Sequence, residues 1–146
     1  MEDLNMALKR AFATTYAFLV KAENFHWNVT GPDFLQYHKL FGKIYDEIED
    51  ELDDFAETLR GQSIFVPASL TQLKEMSMVE DTLDILPRME MVRILYIDNI
   101  KVHEALLAAY QLSETYMKPD LCAFLSERIE EHRKHGWMLF SSMQPT

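Results

Sequence analysis

A chain of 146 residues, 48 % apolar and 26 % charged, is long enough to bury one sizeable core and too apolar to stay disordered. Its formal net charge of −10 opposes contact with nucleic-acid phosphates and attracts cations. A single cysteine, Cys122, excludes an internal disulfide framework and suits a reducing compartment, and no run of about 18 apolar residues is available to cross a bilayer.

Few glycines and prolines punctuate the chain, so long helices are favoured over many short strands. The first predicted helix runs from Glu2 to Asn28. Leu4, Leu8, Ala11, Phe12, Thr15, Phe18, Leu19, Ala22 and Phe25 recur along it at steps of three and four. Thr30-Gly31-Pro32-Asp33 then forces a turn. The second predicted helix runs from Asp33 to Arg60, with Phe34, Tyr37, Phe41, Ile44, Ile48, Leu52 and Phe55 as its apolar stripe. Eight of the twelve residues from Asp46 to Glu57 are acidic, more carboxylates than one site needs. Gly61 is placed to end this helix in the C′ role that glycine favours.

Residues 61–84 form a long connection with one short helix predicted from Ser69 to Glu75, capped by Ser69. The third long helix is predicted from Pro87 to Thr115, with Pro87 at its first position, and the fourth from Asp120 to Ser142. The expected fold is therefore all-α: a single domain over 1–146, a four-helix bundle with a short extra helix between helices 2 and 3. No basic and apolar leader opens the chain, which points to a cytoplasmic location.

The candidate chemistry lies in histidines with carboxylate company. Asp53 and Glu57 stand four apart and share one helix face. His26 closes the first helix and His38 opens the second, so they can meet across the turn at Gly31-Pro32. Imidazoles with carboxylates are a usual ligand set for non-haem iron. Yet 15 residues separate His38 from Asp53 on one helix, which is roughly 22 Å. Metal–ligand bonds are about 2 Å long, so any site combining them must draw on two chains. An antiparallel two-fold pairing of the second helix would complete it, twice per dimer. An intrachain di-iron centre needs two Glu-x-x-His spacings, and only Glu23-Asn24-Phe25-His26 supplies one. His103, His132 and His135 read as structural.

The stretch His26-Trp27-Asn28-Val29-Thr30-Gly31-Pro32-Asp33-Phe34, with His38 and then Asp53-Asp54-Phe55-Ala56-Glu57, resembles the signature of the Dps family of mini-ferritins. Glu131-His132-Arg133-Lys134-His135-Gly136-Trp137-Met138-Leu139 resembles that family's last helix. The resemblance implies a ferritin-like fold, a hollow shell of twelve subunits, and oxidation of Fe2+ to stored Fe3+ with hydrogen peroxide. It also implies sites at two-fold interfaces, with His26 and His38 from one subunit and Asp53 and Glu57 from its neighbour. Trp27 would lie beside the site and intercept stray oxidising equivalents, and Asp120 would line a three-fold entry pore.

Two departures from the family pattern follow. Gly42 stands where the family has another carboxylate, which points to weaker metal binding or to a shell with a structural or passive metal-binding role. Gly42→Asp is then expected to tighten iron binding. Close backbone approach across the interface would explain a glycine there. The chain also has no basic terminal tail, so direct DNA binding is not expected.

Overall fold

The computed structural model describes residues 1–145. It contains five helices, α1 (Glu2–Asn28), α2 (Phe34–Gly61), α3 (Leu70–Met76), α4 (Arg88–Thr115) and α5 (Pro119–Met143), and no strand among the described residues. Two antiparallel hairpins, α1/α2 and α4/α5, are joined by a long crossover that carries α3. Helix α1 packs on both α2 and α4, while α3 lies against α1. Among the described residues, no helix is long and apolar enough to cross a membrane.

Every residue of the α1 stripe is buried, from Leu4 to Phe25, as a 3.6-residue period requires. Phe12 meets Phe55 edge-on at 5.5 Å, and Phe55 meets Phe124 at 5.2 Å, so one aromatic chain ties α1, α2 and α5 together. Where α2 and α5 face each other further along, the contact is polar. Arg128, only 2 % exposed, bonds Glu47 with its two terminal guanidinium nitrogens. His135 donates its Nε2 proton to the same carboxylate at 2.7 Å. His132 donates from Nδ1 to Asn99 Oδ1, and Asn99 returns a bond to the His132 carbonyl, both at 2.8 Å. Burial lowers the His132 pKa far below the usual imidazole range, so the ring is neutral. A second buried pair, Lys21 with Asp98 at 2.6 Å, lies between α1 and α4.

The helix ends follow a rule that glycine content does not reveal. Helix α2 stops in a Schellman motif: Ile64 N–H bonds the Leu59 carbonyl and Ser63 N–H bonds the Arg60 carbonyl. The left-handed C′ position is Ser63, at φ 62°, two residues beyond Gly61. Helix α4 ends the same way, with Lys118 to Ser113, Met117 to Glu114, and Met117 at φ 54°. Gly61 is thus the last helical residue of α2 rather than its C′ cap. Proline at a first helical position occurs in α5, where Pro119 opens the helix, whereas Pro87 caps α4 from outside.

A non-glycine residue in the left-handed region costs on the order of 1 kcal/mol. Met117 is 84 % exposed, so shortening it forfeits no burial. Met117→Gly is therefore expected to stabilise the chain by roughly 0.5–1 kcal/mol, read as a higher midpoint in urea. An unchanged or lower midpoint would show that the side chain is used elsewhere.

Candidate metal centre

The four side chains singled out from the sequence fall into two groups at opposite ends of α2. His26, near the end of α1, and His38, near the start of α2, come together across the Gly31-Pro32 turn. Their rings stack at 3.9 Å, inclined by 15°. Each is fixed by the other's backbone: His26 Nδ1 lies 2.6 Å from the His38 carbonyl, and His38 Nδ1 lies 2.7 Å from the His26 carbonyl. A carbonyl oxygen only accepts, so both Nδ1 atoms carry the proton. Both Nε2 lone pairs are left free, the arrangement that metal-ligating histidines use when a backbone carbonyl holds the other nitrogen.

The stacking also limits what the pair can do. A bound ion lies in the plane of its imidazole, about 2 Å from the nitrogen. Near-parallel planes separated by a ring thickness do not meet within that reach. Stacked in this way, the two rings are not arranged to chelate a single ion.

At the far end of α2, Asp53, Asp54 and Glu57 offer carboxylate oxygens all within 4.8 Å of one another, and all three are exposed. Asp54 joins the pair expected from the four-residue spacing. The Asp53 carboxylate, by charge and by hydrogen bonding, raises the Glu57 pKa. These groups repel each other in solvent, and a cation placed among them removes that repulsion. Helix α2 runs unbroken between the two groups. One chain therefore holds its imidazoles and this acid cluster roughly 22 Å apart.

Gly42 is explained by α1. A Cβ built there would lie 2.7 Å from both Cε1 and Nδ1 of His26. Within the chain, a side chain, the His26 ring, makes this close approach. The expectation for Gly42→Asp is corrected accordingly: any side chain at 42 pushes the His26 ring out of its seat. Gly42→Ala, and Gly42→Asp with it, should weaken ferrous binding by about 10-fold or more, the scale of disturbing a ligand's orientation. A ferrous titration with unchanged affinity in Gly42→Ala would contradict this.

Around the histidines, Trp27 is 65 % exposed, Leu35 58 % and Phe34 41 %, an apolar rim that a lone chain leaves in water. Phe34 was expected in the core stripe but stacks instead on His38 at 5.0 Å. Tyr45 lies on the other side of His26, its ring 6.3 Å away and inclined by 17°. The carboxylates of Glu49 and Glu23 beside the Tyr45 hydroxyl raise its pKa well above the ordinary phenol value. Sequence reading passed over Tyr45. Its position seven residues after His38, on the same helix face, was the available signal.

The remaining residues are placed as follows. Within the bundle, where an intrachain di-iron centre would sit, Lys21 and Arg128 already neutralise Asp98 and Glu47. His132 and His135 belong to that internal network, and His103 borders a surface groove with Tyr96 and Trp137. Asp120 is in the first turn of α5 and accepts a bond from Gln62 at 3.2 Å.

A ferritin-like domain family matches residues 5–144. The "DNA protection during starvation protein" of Brevibacillus brevis is 29 % identical over 133 residues, 90 % of this chain and 89 % of that protein. The crystal structure of a Dps protein from Bacillus brevis superposes with a TM-score of 0.91 at 26 % identity, covering 97 % and 95 % of the two chains. The chain belongs to the Dps family of ferritin-like proteins. A Dps protein from Vibrio cholerae O1, described as a member of a broad superfamily of ferritin-like diiron-carboxylate proteins, shares the fold at TM-score 0.92 and 21 % identity, covering 98 % and 90 % of the two chains. Membership among the Dps mini-ferritins carries an iron-related role for this chain.

Proposed function

We propose that this Dps-family chain binds ferrous iron as its substrate at sites shared between two subunits and oxidises it, using hydrogen peroxide. His26 and His38 of one subunit and Asp53 and Glu57 of the next form each site. The observation that carries this reading is the pair of free Nε2 atoms at one end of α2 and the acid cluster at the other. Neither half is a complete ligand set, and an antiparallel two-fold pairing of α2 joins them. The apolar rim of Trp27, Phe34 and Leu35 supplies surface for such a contact.

The two imidazoles and the carboxylates suit iron in both oxidation states. The histidines stay fixed through their Nδ1 bonds, so little reorganisation accompanies oxidation. Ferric product collects inside a hollow shell of twelve subunits in the cytoplasm, and removal of iron and peroxide limits oxidative damage. An acidic groove between α2 and α5, bordered by Glu47, Asp50, Glu51, Glu127, Glu130 and Glu131, offers carboxylates for ferric nucleation. The net charge of −10 per chain argues against coating DNA. The whole chain acts as a single domain.

A second reading rests on Gly42, which leaves the His38 position without a carboxylate on its own helix: a shell that holds iron with little catalysis. Two measurements test these readings. Size-exclusion should give about 205 kDa for twelve copies of a 17.1 kDa chain. Stopped-flow mixing of ferrous-loaded protein with peroxide should show oxidation well above a protein-free control. A monomer defeats both readings, and a shell without oxidation leaves the second.

A further inference from the structure

Charge is ordered along α2 in a way that a single chain leaves unused. The cations Lys39 and Lys43 come first, and the acids from Asp46 to Glu57 follow. A helix dipole favours the reverse, acids toward the N-terminus and cations toward the C-terminus. Ion pairs within a helix also form better with the acid first. The pairs three residues apart in this chain obey that order: Glu90 with Arg93, Asp98 with Lys101, Glu130 with Arg133 and Glu131 with Lys134. Lys39 and Lys43 precede their acids, and neither forms an ion pair among the described residues.

The acid cluster at the other end is larger than the proposed site needs. Asp53 and Glu57 are assigned to iron, and Asp54, whose carboxylate stands within 4.8 Å of both, is left over. Lys39, Lys43, Asp50 and Asp54 are all exposed. At about 100° per residue they fall within about 60° of one another around α2, on the side away from the buried Phe41, Ile44, Ile48 and Phe55.

An antiparallel copy of α2 uses all four groups. A two-fold axis across the helix makes one step forward in one subunit one step back in the other. Set His38 level with the midpoint of Asp53 and Glu57 of the partner subunit. Lys39 then stands opposite Asp54 of the partner subunit. Four residues on, Lys43 stands opposite Asp50 of the partner subunit, four residues back. The iron ligands alone set this register, so the meeting of both lysines with acids is a separate coincidence of the sequence. We infer that Lys39 and Lys43 of one subunit grip Asp54 and Asp50 of its partner, and that this clamp holds the acid end of α2 against the neighbouring histidines. The lysines are positioning residues. They occupy Asp54 and leave Asp53 and Glu57 for iron. Exposed pairs are weak singly, but across an interface they select the partner and its orientation. The clamp presupposes the two-chain site proposed above, yet it can be absent while that site is present.

Charge swaps in the full chain test the clamp. One variant carries Lys39→Asp with Lys43→Asp, a second carries Asp50→Lys with Asp54→Lys, and a third carries all four changes. Sedimentation over a dilution series reads the dissociation constant of the assembly. Stopped-flow mixing with ferrous iron and peroxide reads oxidation, and circular dichroism checks that each variant is folded. Each one-sided swap sets like charges against each other, so it should raise the dissociation constant by about 10-fold or more and slow oxidation in step. The quadruple variant should recover both. The one-sided swaps change the net charge in opposite directions, so a general charge effect would weaken one assembly and strengthen the other. Wild-type assembly in both one-sided swaps, opposite effects of the two, or no recovery in the folded quadruple variant overturns the clamp and leaves the two-chain site intact. A monomeric wild type overturns both.

Discussion

Replacing Asp53 by Asn and Glu57 by Gln together is expected to slow peroxide-driven ferrous oxidation by about 100-fold or more. Losing a group that merely orients a metal ligand costs roughly 10- to 100-fold, so losing two ligands sets at least that scale. Stability should move the other way or not at all. Both residues are exposed, and the Asp53 carboxylate raises the Glu57 pKa, so neutralising them removes repulsion from α2. Slow oxidation with an equal or higher thermal midpoint supports a ligand role. Full activity in the double variant would remove the acids from the site.

The second large effect concerns stability. Glu47→Ala leaves the buried Arg128 guanidinium without its carboxylate and removes the acceptor for His135. Breaking a buried pair from one side costs about 3–5 kcal/mol. For a chain of this length that lowers the melting midpoint by on the order of 10 °C. Glu130→Ala breaks an ion pair with Arg133 whose partners are 52 % and 62 % exposed, and should cost less than about 1 kcal/mol. Equal effects of the two substitutions would refute the distinction.

The same carboxylate gives an acid signature. Burial alone would raise the Glu47 pKa, but the His135 and Arg128 hydrogen bonds and charges outweigh it and bring the group down to about 2. A depressed carboxylate stabilises the fold above its unfolded pKa. Its contribution is therefore complete above about pH 4.5 and is lost as pH falls toward 2. Glu47→Gln should flatten the stability profile across that window. An unaltered acid limb would assign the acid sensitivity to other groups.

Local periodicity made α1 legible in full, because every core position on it repeats at the helical step. The helix ends were less so. Schellman closure was satisfied by Ser63 and Met117, residues that carry no signal for a left-handed backbone. Glu47 looked like its acidic neighbours, since its partner Arg128 lies 81 residues away in the chain. Phe34 and Phe140 fitted the apolar stripes yet are 41 % and 48 % exposed, and the ring stack that holds Phe34 at the site involves two helices. Gly42 was noticed but misread for the same reason: the ring that needs its missing side chain comes from α1. Contacts within one helix were readable, and contacts between helices were not, apart from His26 with His38, which a short turn brings together. The distance along α2 was the exception, because a rigid rod converts sequence separation into length.

A mixing experiment tests the two-chain site most directly. One variant lacks both imidazoles (His26→Ala with His38→Ala), and the other lacks both acids (Asp53→Asn with Glu57→Gln). Each alone should be inactive. Co-expressed in equal amounts with different tags to verify mixed assemblies, they should recover about a quarter of the wild-type rate, because half the two-fold pairs are mixed and each mixed pair holds one intact site of two. Mixed assemblies that stay as inactive as either parent would mean that each chain carries its own complete site.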